Sequence, residues 1–237
     1  MMSMEPKIAV ITGASRGIGA ALVKAFRDQG YRVVATSRSI EASDDADILS
    51  IAGDIGDPQT GQNVIGAGLA KFGRIDTLVN NAGIFVSSPF TQYTDQQYRD
   101  IVSTNLNGFF YITQSAIEVM ETQGSGHIVN VTTSLVDNAN SKVPSVLASL
   151  TKGGLQSATK SLAIEYAKRG IRVNAVSPGI IKTPMHPAEK YEALASMHPM
   201  GRMGEITDIV GAILYLESAS FVTGEILHVD GGQSAGR

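Results

Sequence analysis

The chain has 237 residues, 43% of them hydrophobic, and a formal net charge of −3, which allows the core of one large α/β domain or two small ones. It contains no cysteine, so disulfides, thiolate metal sites and a cysteine nucleophile are excluded. The slightly acidic balance does not indicate a nucleic-acid surface. No apolar run approaches the roughly 20 residues of a membrane-spanning helix, and residues 1–7 lack the apolar region of a signal peptide. We therefore expect a cytoplasmic protein with no nucleic-acid or membrane partner.

Apolar runs typical of strands alternate along the chain with helical patterns. The predicted strands cover residues 8–11, 31–36, 48–52, 75–79, 126–131, 171–176 and 225–229. The predicted helices cover residues 17–29, 58–72, 149–169 and 205–217, with a helix-rich stretch from 95 to 122 and a turn or short helix at 39–46. Such alternation, with continuous apolar strands, predicts an α/β fold whose parallel sheet has helices on both faces. Because the chain shows no repeat, low-complexity tract or linker, residues 1–237 are predicted to form a single domain.

A glycine-rich turn follows the first predicted strand and opens the first helix. It reads Thr12-Gly13-Ala14-Ser15-Arg16-Gly17-Ile18-Gly19. Glycines in such a turn permit the tight bend, let a pyrophosphate approach the backbone and let the helix pack on the strand. The free N–H groups and the positive end of the helix dipole then hold the anion. An ordinary strand–turn–helix connection is the alternative, but the position between a strand and a helix favours dinucleotide binding.

The second predicted strand runs into Ser37-Arg38-Ser39. An NAD site usually has a carboxylate here, which accepts a hydrogen bond from the ribose 2′-hydroxyl. Arg38 occupies this point instead, and Arg16 lies in the glycine-rich turn. Two guanidinium groups beside hydroxyls suit a 2′-phosphate, so we predict NADP(H) in preference to NAD(H). The alternative is that both arginines are solvated surface residues.

Polar and small residues follow the third and fourth predicted strands. Asp54 could accept a hydrogen bond from the adenine amino group, although a capping or loop aspartate fits the sequence almost as well. The run Asn80-Asn81-Ala82-Gly83 suits close approach of the backbone to a ligand, and a simple turn is the alternative.

These motifs together resemble the short-chain dehydrogenases/reductases, especially the branch with 3-oxoacyl-carrier-protein reductases and many sugar and steroid dehydrogenases. The resemblance rests on Thr12-Gly13-x-x-x-Gly17-x-Gly19, Asp54, Asn80-Asn81-Ala82-Gly83, Asn105, Pro178-Gly179 and Asp230-Gly231-Gly232, which span nearly the whole chain in order. It implies a Rossmann-type doubly wound seven-stranded sheet, a nicotinamide cofactor, and a homodimer or homotetramer that pairs the 149–169 helix. It further implies adenine contacts at Asp54 and Ile55, ribose contacts at Asn80, Ala82 and Gly83, and carboxamide contacts at Pro178, Gly179, Ile181 and Thr183.

The resemblance also implies a catalytic set. In the family a tyrosine donates the proton, a lysine lowers its pKa and bonds the ribose, a serine orients the carbonyl and an asparagine holds a water. The asparagine matches Asn105 and the lysine matches Lys152, with a helix-interior amide and a solvated lysine as the alternatives. The hydroxyl falls on Ser134 or Thr133, and we prefer Ser134 for its distance from the helix. A strand-end hydroxyl that satisfies the backbone is the alternative there.

The tyrosine position, four residues before Lys152, holds Ala148. The position seven residues before the lysine is Ser145, so a shifted tyrosine is absent too. Positioned acid–base groups contribute about 10²–10⁴-fold to a rate, or roughly 3–5.5 kcal/mol of barrier. Because alanine cannot donate a proton, carbonyl reduction by the family mechanism should be badly impaired.

Four explanations for the alanine remain open. The first is that another group donates the proton, such as Ser149, Ser134, a water on Lys152 or a group in residues 184–200. The second is that the reaction needs no tyrosine, and the third is that the protein binds NADP(H) without turnover. The fourth is that the alanine is an engineered change, although the unusual neighbouring residues 141–145 favour natural divergence.

Residues 184–204 follow Thr183 and are predicted to form a lid over the substrate. Histidine is a common proton donor near neutral pH, so either His186 or His198 in this segment could donate a proton; exposed loop histidines are the alternative. The histidines show no zinc-ligand spacing, so no metal is predicted. We expect an NADP(H)-dependent short-chain oxidoreductase for a small carbonyl or alcohol substrate, with a non-standard proton donor. The alternative is a non-catalytic NADP(H)-binding homologue that acts as a sensor or partner subunit.

Overall fold

The computed structural model describes residues 5–236 as a seven-stranded parallel sheet with helices on both faces. The strands are β1 Ile8–Thr12, β2 Arg32–Ser37, β3 Ile48–Ala52, β4 Thr77–Asn80, β5 Gly126–Val131, β6 Ile171–Pro178 and β7 Ile226–Val229. The helices are α1 Gly17–Asp28, α2 Pro58–Phe72, α3 Asp95–Val102, α4 Gly108–Gln123, α5 Val146–Tyr166, α6 Tyr191–Ala195 and α7 Ile206–Ser218. The strand order is β3-β2-β1-β4-β5-β6-β7 with every pair parallel, so the predicted doubly wound Rossmann-type fold is confirmed.

Two apolar layers enclose the sheet. All five positions of β1 are buried, because side chains on both faces of this central strand meet a helix layer. On one face the core includes Val64 of α2 and Ile112 of α4. On the other it includes Phe26 of α1 and Ile213 of α7.

Two helical regions differ from the sequence prediction. Helix α5 begins at Val146 rather than at residue 149, because Ser145 is the non-helical residue before it, with φ −151° and ψ 39°. The predicted helix-rich stretch from 95 to 122 is two helices joined by a π-helical turn over Ser103–Asn107. Such a turn inserts extra residues into the helical path and is frequent at functional sites. Residues 39–46 form turns and bends, one of the two predicted possibilities.

A buried polar cluster lies where the strands begin, opposite the loops that follow them. The Glu217 carboxylate accepts hydrogen bonds from Tyr31, at 2.8 Å, and Thr77, at 2.9 Å, and lies 2.7 Å from Nδ1 of His127. Nε2 of His127 lies 3.1 Å from the amide nitrogen of Asn174, so the ring is neutral with its proton on Nδ1. Burial lowers the pKa of His127. Burial alone would raise the pKa of Glu217, but the hydrogen bonds from its partners lower it to about 2.

The strand order reverses between β1 and β4, which lie side by side at the centre of the sheet. In doubly wound sheets the ligand lies outside the carboxyl ends of the strands at this switch point. The loops that follow the strands therefore define where a functional site is to be sought. Within residues 5–236, no helix combines the length and apolar character required to cross a membrane.

Candidate functional site

The turn between β1 and α1 requires glycine for two reasons. Gly13 and Gly17 have φ of 65° and 56°, which side chains disfavour. Gly19 lies inside α1, and a Cβ there would stand 2.2 Å from the Gly13 carbonyl oxygen. Arg16 precedes α1 without a side-chain capping bond, and the first turn of the helix holds no acidic residue. The first N–H groups of α1 are therefore suited to an anion.

Thr12 and Asn81 fix this turn against the end of β4. Oγ1 of Thr12 accepts hydrogen bonds from the backbone N–H groups of Asn81, at 3.0 Å, and Ala82, at 2.9 Å. The Asn81 amide donates to the Thr12 carbonyl at 2.9 Å and to that of Gly13 at 3.3 Å. Neither Thr12 nor Asn81 was among the predicted site residues. Both belong to the motifs named above. The feature that could have identified them is a polar residue at the end of each of two neighbouring strands.

The end of β2 adjoins the glycine-rich turn and carries hydroxyls without partners. The backbone N–H of Ala14 donates to the Thr36 carbonyl at 3.1 Å, which joins the two segments. The buried hydroxyl oxygens of Thr36 and Ser37 have no hydrogen-bond partner within residues 5–236. Arg16 and Arg38 are exposed, and neither forms an ion pair with a carboxylate in that range. Two exposed arginines in the loops after β1 and β2, free of carboxylate partners in that range, fit a phosphate-bearing ligand.

The loop after β3 places Asp54 at the surface and Ile55 in the interior. Oδ1 of Asp54 accepts a hydrogen bond from the backbone N–H of Gly56 at 3.0 Å, so this side chain shapes its own loop. The cap of α2 is supplied by Asp57 instead. Ile55 packs against Gly108, where a Cβ would stand 2.7 Å from Cγ2 of the isoleucine.

Asn80 braces the fold from the end of β4. Its amide nitrogen donates to Oγ1 of Thr113 and to Oδ1 of Asn130, both at 2.9 Å. The side chain is 5% exposed, and its donor group is used inside the protein. Asn80 thus supports the predicted ribose site by holding β4 against α4 and β5.

Lys152 and Asn105 converge on Gly83. A Cβ on Gly83 would stand 3.0 Å from Nζ of Lys152 and 3.3 Å from Oδ1 of Asn105. The lysine is not a solvated helix residue, because it is 9% exposed and donates to the Val131 carbonyl at 2.7 Å. Burial lowers its pKa to about 8. Nζ has no carboxylate partner in the described part of the chain.

The π-helical turn aims Asn105 at the loop after β4. Its Oδ1 accepts from the backbone N–H of Ile84 at 2.9 Å, and its amide nitrogen donates to the Ile84 carbonyl at 3.1 Å. The same nitrogen donates to Oγ1 of Thr151 at 3.2 Å, which ties the turn to α5 beside Lys152. Thr151 had no predicted role.

The two candidate hydroxyls at the end of β5 point to different neighbours. Ser134 is 1% exposed and donates to Oε1 of Gln233 at 2.7 Å. Thr133 is partly exposed, and its hydroxyl accepts a long hydrogen bond of 3.4 Å from the backbone N–H of Leu135. The Ser134 hydroxyl is thus engaged in a hydrogen bond to Gln233, whereas that of Thr133 is the more accessible of the two; which of them orients a substrate stays a prediction. Nothing local to Ser134 in the chain indicates this partner, which is 99 residues away.

Ala148 lies on the first turns of α5 with 4% of its surface exposed. The hydroxyl of Ser149, a predicted alternative donor, gives its own proton to the Leu135 carbonyl at 3.2 Å. Ser149 is therefore not free to protonate a substrate. The alanine methyl is packed rather than facing open space.

Residues 184–204 form a loop closed at its base by a parallel bridge between Ile181 and Gly204. Nε2 of His198 accepts a hydrogen bond from the backbone N–H of Ile180 at 2.9 Å, and the side chain is 4% exposed. His198 is therefore not an exposed loop histidine: it is buried, its Nε2 is an acceptor, and its Nδ1 has no hydrogen-bond partner within residues 5–236. His186 is partly exposed, and burial together with nearby Lys190 lowers its pKa.

The other predicted cofactor residues lie at or just beyond the carboxyl ends of β1, β2, β4 and β6, with Ile18 in the first turn of α1 and Pro178 as the last residue of β6. They are Ser15, Ile18, Ser39, Ala82, Pro178, Gly179, Ile181 and Thr183. A Cβ on Gly17 would stand 3.8 Å from Cβ of Thr183, so the segments that follow β1 and β6 meet. No cluster of three or more potential metal ligands occurs within the described residues.

Comparisons with known proteins agree with this arrangement. Residues 13–234 match the family model described as enoyl-(acyl carrier protein) reductase. The 3-oxoacyl-(acyl-carrier-protein) reductase FabG of Salmonella typhimurium is 36% identical over 242 residues, covering 98% of each chain. That of Thermotoga maritima is 36% identical over 249 residues, covering 98% of this chain and 99% of the relative.

Solved structures extend the likeness to the backbone. The structure of ElxO with NADP bound has a TM-score of 0.90 at 32% identity, covering 98% of this chain and 100% of the other. The 3-ketoacyl-(acyl-carrier-protein) reductase of Brucella melitensis, complexed with NADH, has a TM-score of 0.87 at 33% identity, with coverage of 98% and 100%. The chain thus belongs to the short-chain dehydrogenase/reductase family, as a homologue of its 3-oxoacyl-(acyl-carrier-protein) reductases.

Proposed function

We propose that this protein is an NADP(H)-dependent oxidoreductase that interconverts a small carbonyl compound and its alcohol, with a proton donor other than tyrosine. The observation that carries the proposal is the anion-ready turn of α1 beside the end of β2. There, the buried hydroxyls of Thr36 and Ser37 have no hydrogen-bond partner, and the exposed Arg16 and Arg38 form no ion pair, within residues 5–236. This group of donors suits the 2′-phosphate that distinguishes NADP(H) from NAD(H).

The residues around the switch point would hold the cofactor along the carboxyl edge of the sheet. The turn of α1 takes the pyrophosphate, Asp54 and Ile55 flank the adenine, and Gly83 with Lys152 lies at the ribose. The carboxamide end falls to Pro178, Gly179, Ile181 and Thr183. When bound, the nicotinamide supplies or accepts the hydride.

The chain's own residues provide the proton and orient the substrate. Thr133 presents a hydroxyl that can bond the carbonyl oxygen, and Asn105 fixes the loop of Ile84 beside it. Lys152 has a pKa of about 8, so below that pH its ammonium can give a proton to a bound water as that water gives one of its own to the forming alkoxide. His186, a partly exposed residue of the 184–204 lid, is the second candidate for the proton donor.

The names of the relatives set the substrates to be tested. The name of the FabG relatives describes reduction of a 3-oxoacyl thioester, at a carbonyl. The name of the family model describes reduction of an enoyl thioester, at a carbon–carbon double bond. Both substrates carry a carbonyl that Thr133 can bind. We propose the carbonyl reaction, because a buried lysine and a neighbouring hydroxyl serve a developing alkoxide.

The test is turnover of NADPH with a panel of ketones, aldehydes, 3-oxoacyl thioesters and enoyl thioesters. We expect turnover by the unaltered protein with at least one carbonyl substrate, and its loss in Lys152→Ala. Lys160→Ala, at an exposed position of the same helix, is the control and should keep the activity. Turnover that survives in Lys152→Ala would contradict the role given to the lysine.

A second candidate function is a non-catalytic NADP(H)-binding homologue, a sensor or partner subunit. It is favoured by Ala148, which offers no hydroxyl and is packed at 4% exposure. The discriminating variant is Ala148→Tyr. Turnover that appears only in this variant would support the binding function and contradict the enzyme.

We also propose that the chain pairs with copies of itself through α4 and α5. Helix α5 exposes Val146, Leu150 and Ile164, the last at 80%, and α4 exposes Phe110 at 54%. Apolar patches of this kind are typical of protein interfaces. Sedimentation should show a dimer or tetramer that Leu150→Lys weakens, and a monomeric unaltered protein would contradict the pairing.

A further inference from the structure

The chain's last segment binds two of the loops that form the candidate site. In residues 230–234, Gly231 and Gly232 have φ of 59° and 87°, so this turn is available only to glycine without strain. Both oxygens of Asp230 accept hydrogen bonds from the following backbone, from Gly232 at 3.0 Å and Ser234 at 2.7 Å. The segment is therefore a fixed turn.

One side of this turn packs on the distal end of the 184–204 segment. Cβ atoms built on Gly231 and Gly232 would stand 3.4 Å from Cβ of His198 and 3.3 Å from Cβ of Pro199. The backbone N–H of Met200 donates to the Gly231 carbonyl at 3.1 Å. The lid's end thus rests on the turn.

The other side of the turn holds the loop after β5. Gln233 is 5% exposed, and its Oε1 accepts a hydrogen bond from the Ser134 hydroxyl at 2.7 Å. Its backbone carbonyl accepts a second hydrogen bond, from the amide of Asn138. Both partners lie in the turn that begins directly after Thr133.

We propose that Gln233 is a positioning residue, which sets the place of Thr133 and couples the loop after β5 to the lid. It touches neither reacting group, and it acts through Ser134, whose buried hydroxyl has no other partner among residues 5–236. Movement of the lid's end is transmitted through Gly231 and Gln233 to the hydroxyl that orients the substrate. This inference rests on the proposed function for its catalytic part, and its structural part stands alone.

The first test is hydrogen exchange of the protein without cofactor, comparing Gln233→Met with the unaltered chain. Methionine keeps the length of the side chain and removes the acceptor. We expect faster exchange at Asp137 and Asn138, whose N–H groups bond the Ser134 carbonyl, and also at Met200 in the lid. Gln59→Met, at an exposed glutamine of α2, is the matched control and should change none of them. Unchanged exchange at either segment would overturn the coupling.

The second test separates positioning from mere stability. In Gln233→Met we expect kcat to fall roughly 10- to 100-fold, because a displaced orienting group costs rate, while the Kd for NADPH stays within about 2-fold of the unaltered value. Gln233→Glu retains an oxygen acceptor for Ser134 and should recover part of kcat. An unchanged kcat alongside altered exchange would overturn the positioning role. If the unaltered protein turns over no carbonyl, the proposed function fails while the exchange result still decides the coupling.

Discussion

Replacing Lys152 with methionine should make the protein more stable. The lysine is buried and has no carboxylate partner among the residues that the structure describes, so the fold bears the cost of desolvating its charge. The fall of its pKa from 10.5 to about 8 corresponds to roughly 3 kcal/mol at neutral pH. Loss of the hydrogen bond to the Val131 carbonyl lowers the stability of the variant by about 1 kcal/mol, which offsets part of this gain. A net gain of about 2 kcal/mol would raise Tm by about 4–8 °C in a chain of this size.

The dependence on pH identifies the lysine as the source. Between pH 8 and its ordinary pKa the unfolded chain holds the Lys152 proton and the folded chain has lost it, so stability rises with pH. The window to measure is pH 8 to about 9.5, because the raised pKa of Tyr31 lowers stability at higher pH. Urea unfolding midpoints of the unaltered protein should rise across this window. Those of Lys152→Met should rise less, by the contribution of the lysine.

Lys160→Met is the matched control, since Lys160 is exposed on the same helix. It should neither raise Tm nor alter the dependence on pH. A Lys152→Met protein that is less stable than the unaltered one, or one with the same rise between pH 8 and 9.5, would refute the reasoning. The lysine would then be structural, rather than a costly residue retained for function.

Two further variants test the turn and the buried cluster. Gly19→Ala should destabilise by about 2 kcal/mol, about 3 kcal/mol of overpacking against Gly13 less about 1 kcal/mol of helix propensity, and should raise the Kd for NADPH at least 10-fold. Gly66→Ala, where a Cβ would meet nothing within 4 Å, should raise Tm and leave NADPH binding alone; equal behaviour of the two variants would count against the turn. The lowered pKa of His127 makes stability fall as pH drops below about 6.5, since the unfolded chain takes up the proton first. Urea midpoints at pH 7 and 5 should therefore differ less in His127→Gln than in the unaltered protein, and an equal difference would contradict the assignment.

The sequence predicted the fold well because each local signal agreed with the final structure. Buried parallel strands give unbroken apolar runs, and the glycine-rich turn marks where the first strand meets its helix. The start of α5 was misplaced by three residues: Ser145 is a residue type favoured at helix N-caps and does precede the helix, although its side chain makes no capping hydrogen bond. The π-helical turn at Asn105 was not predicted, because an inserted helical residue leaves no periodic mark in the sequence.

The site was harder to predict wherever a side chain's partner is distant in the chain. Ser134 and Thr133 are adjacent, and the hydrogen bond of Ser134 to Gln233, 99 positions away, distinguishes their surroundings in a way that no local pattern indicates. His198 fitted a loop donor by composition, yet it accepts from Ile180 and is buried. Lys152 was assigned from its register alone, and the structure adds the burial that lowers its pKa.

The most direct test of the central claim compares the dissociation constants of NADPH and NADH on the same protein at two salt concentrations. Arg16, Arg38 and the unpaired hydroxyls at the end of β2 predict that NADPH binds at least 10-fold more tightly, about 1.4 kcal/mol. The preference should shrink as salt screens the exposed guanidinium groups. Equal binding of the two cofactors, or tighter binding of NADH, would contradict the account.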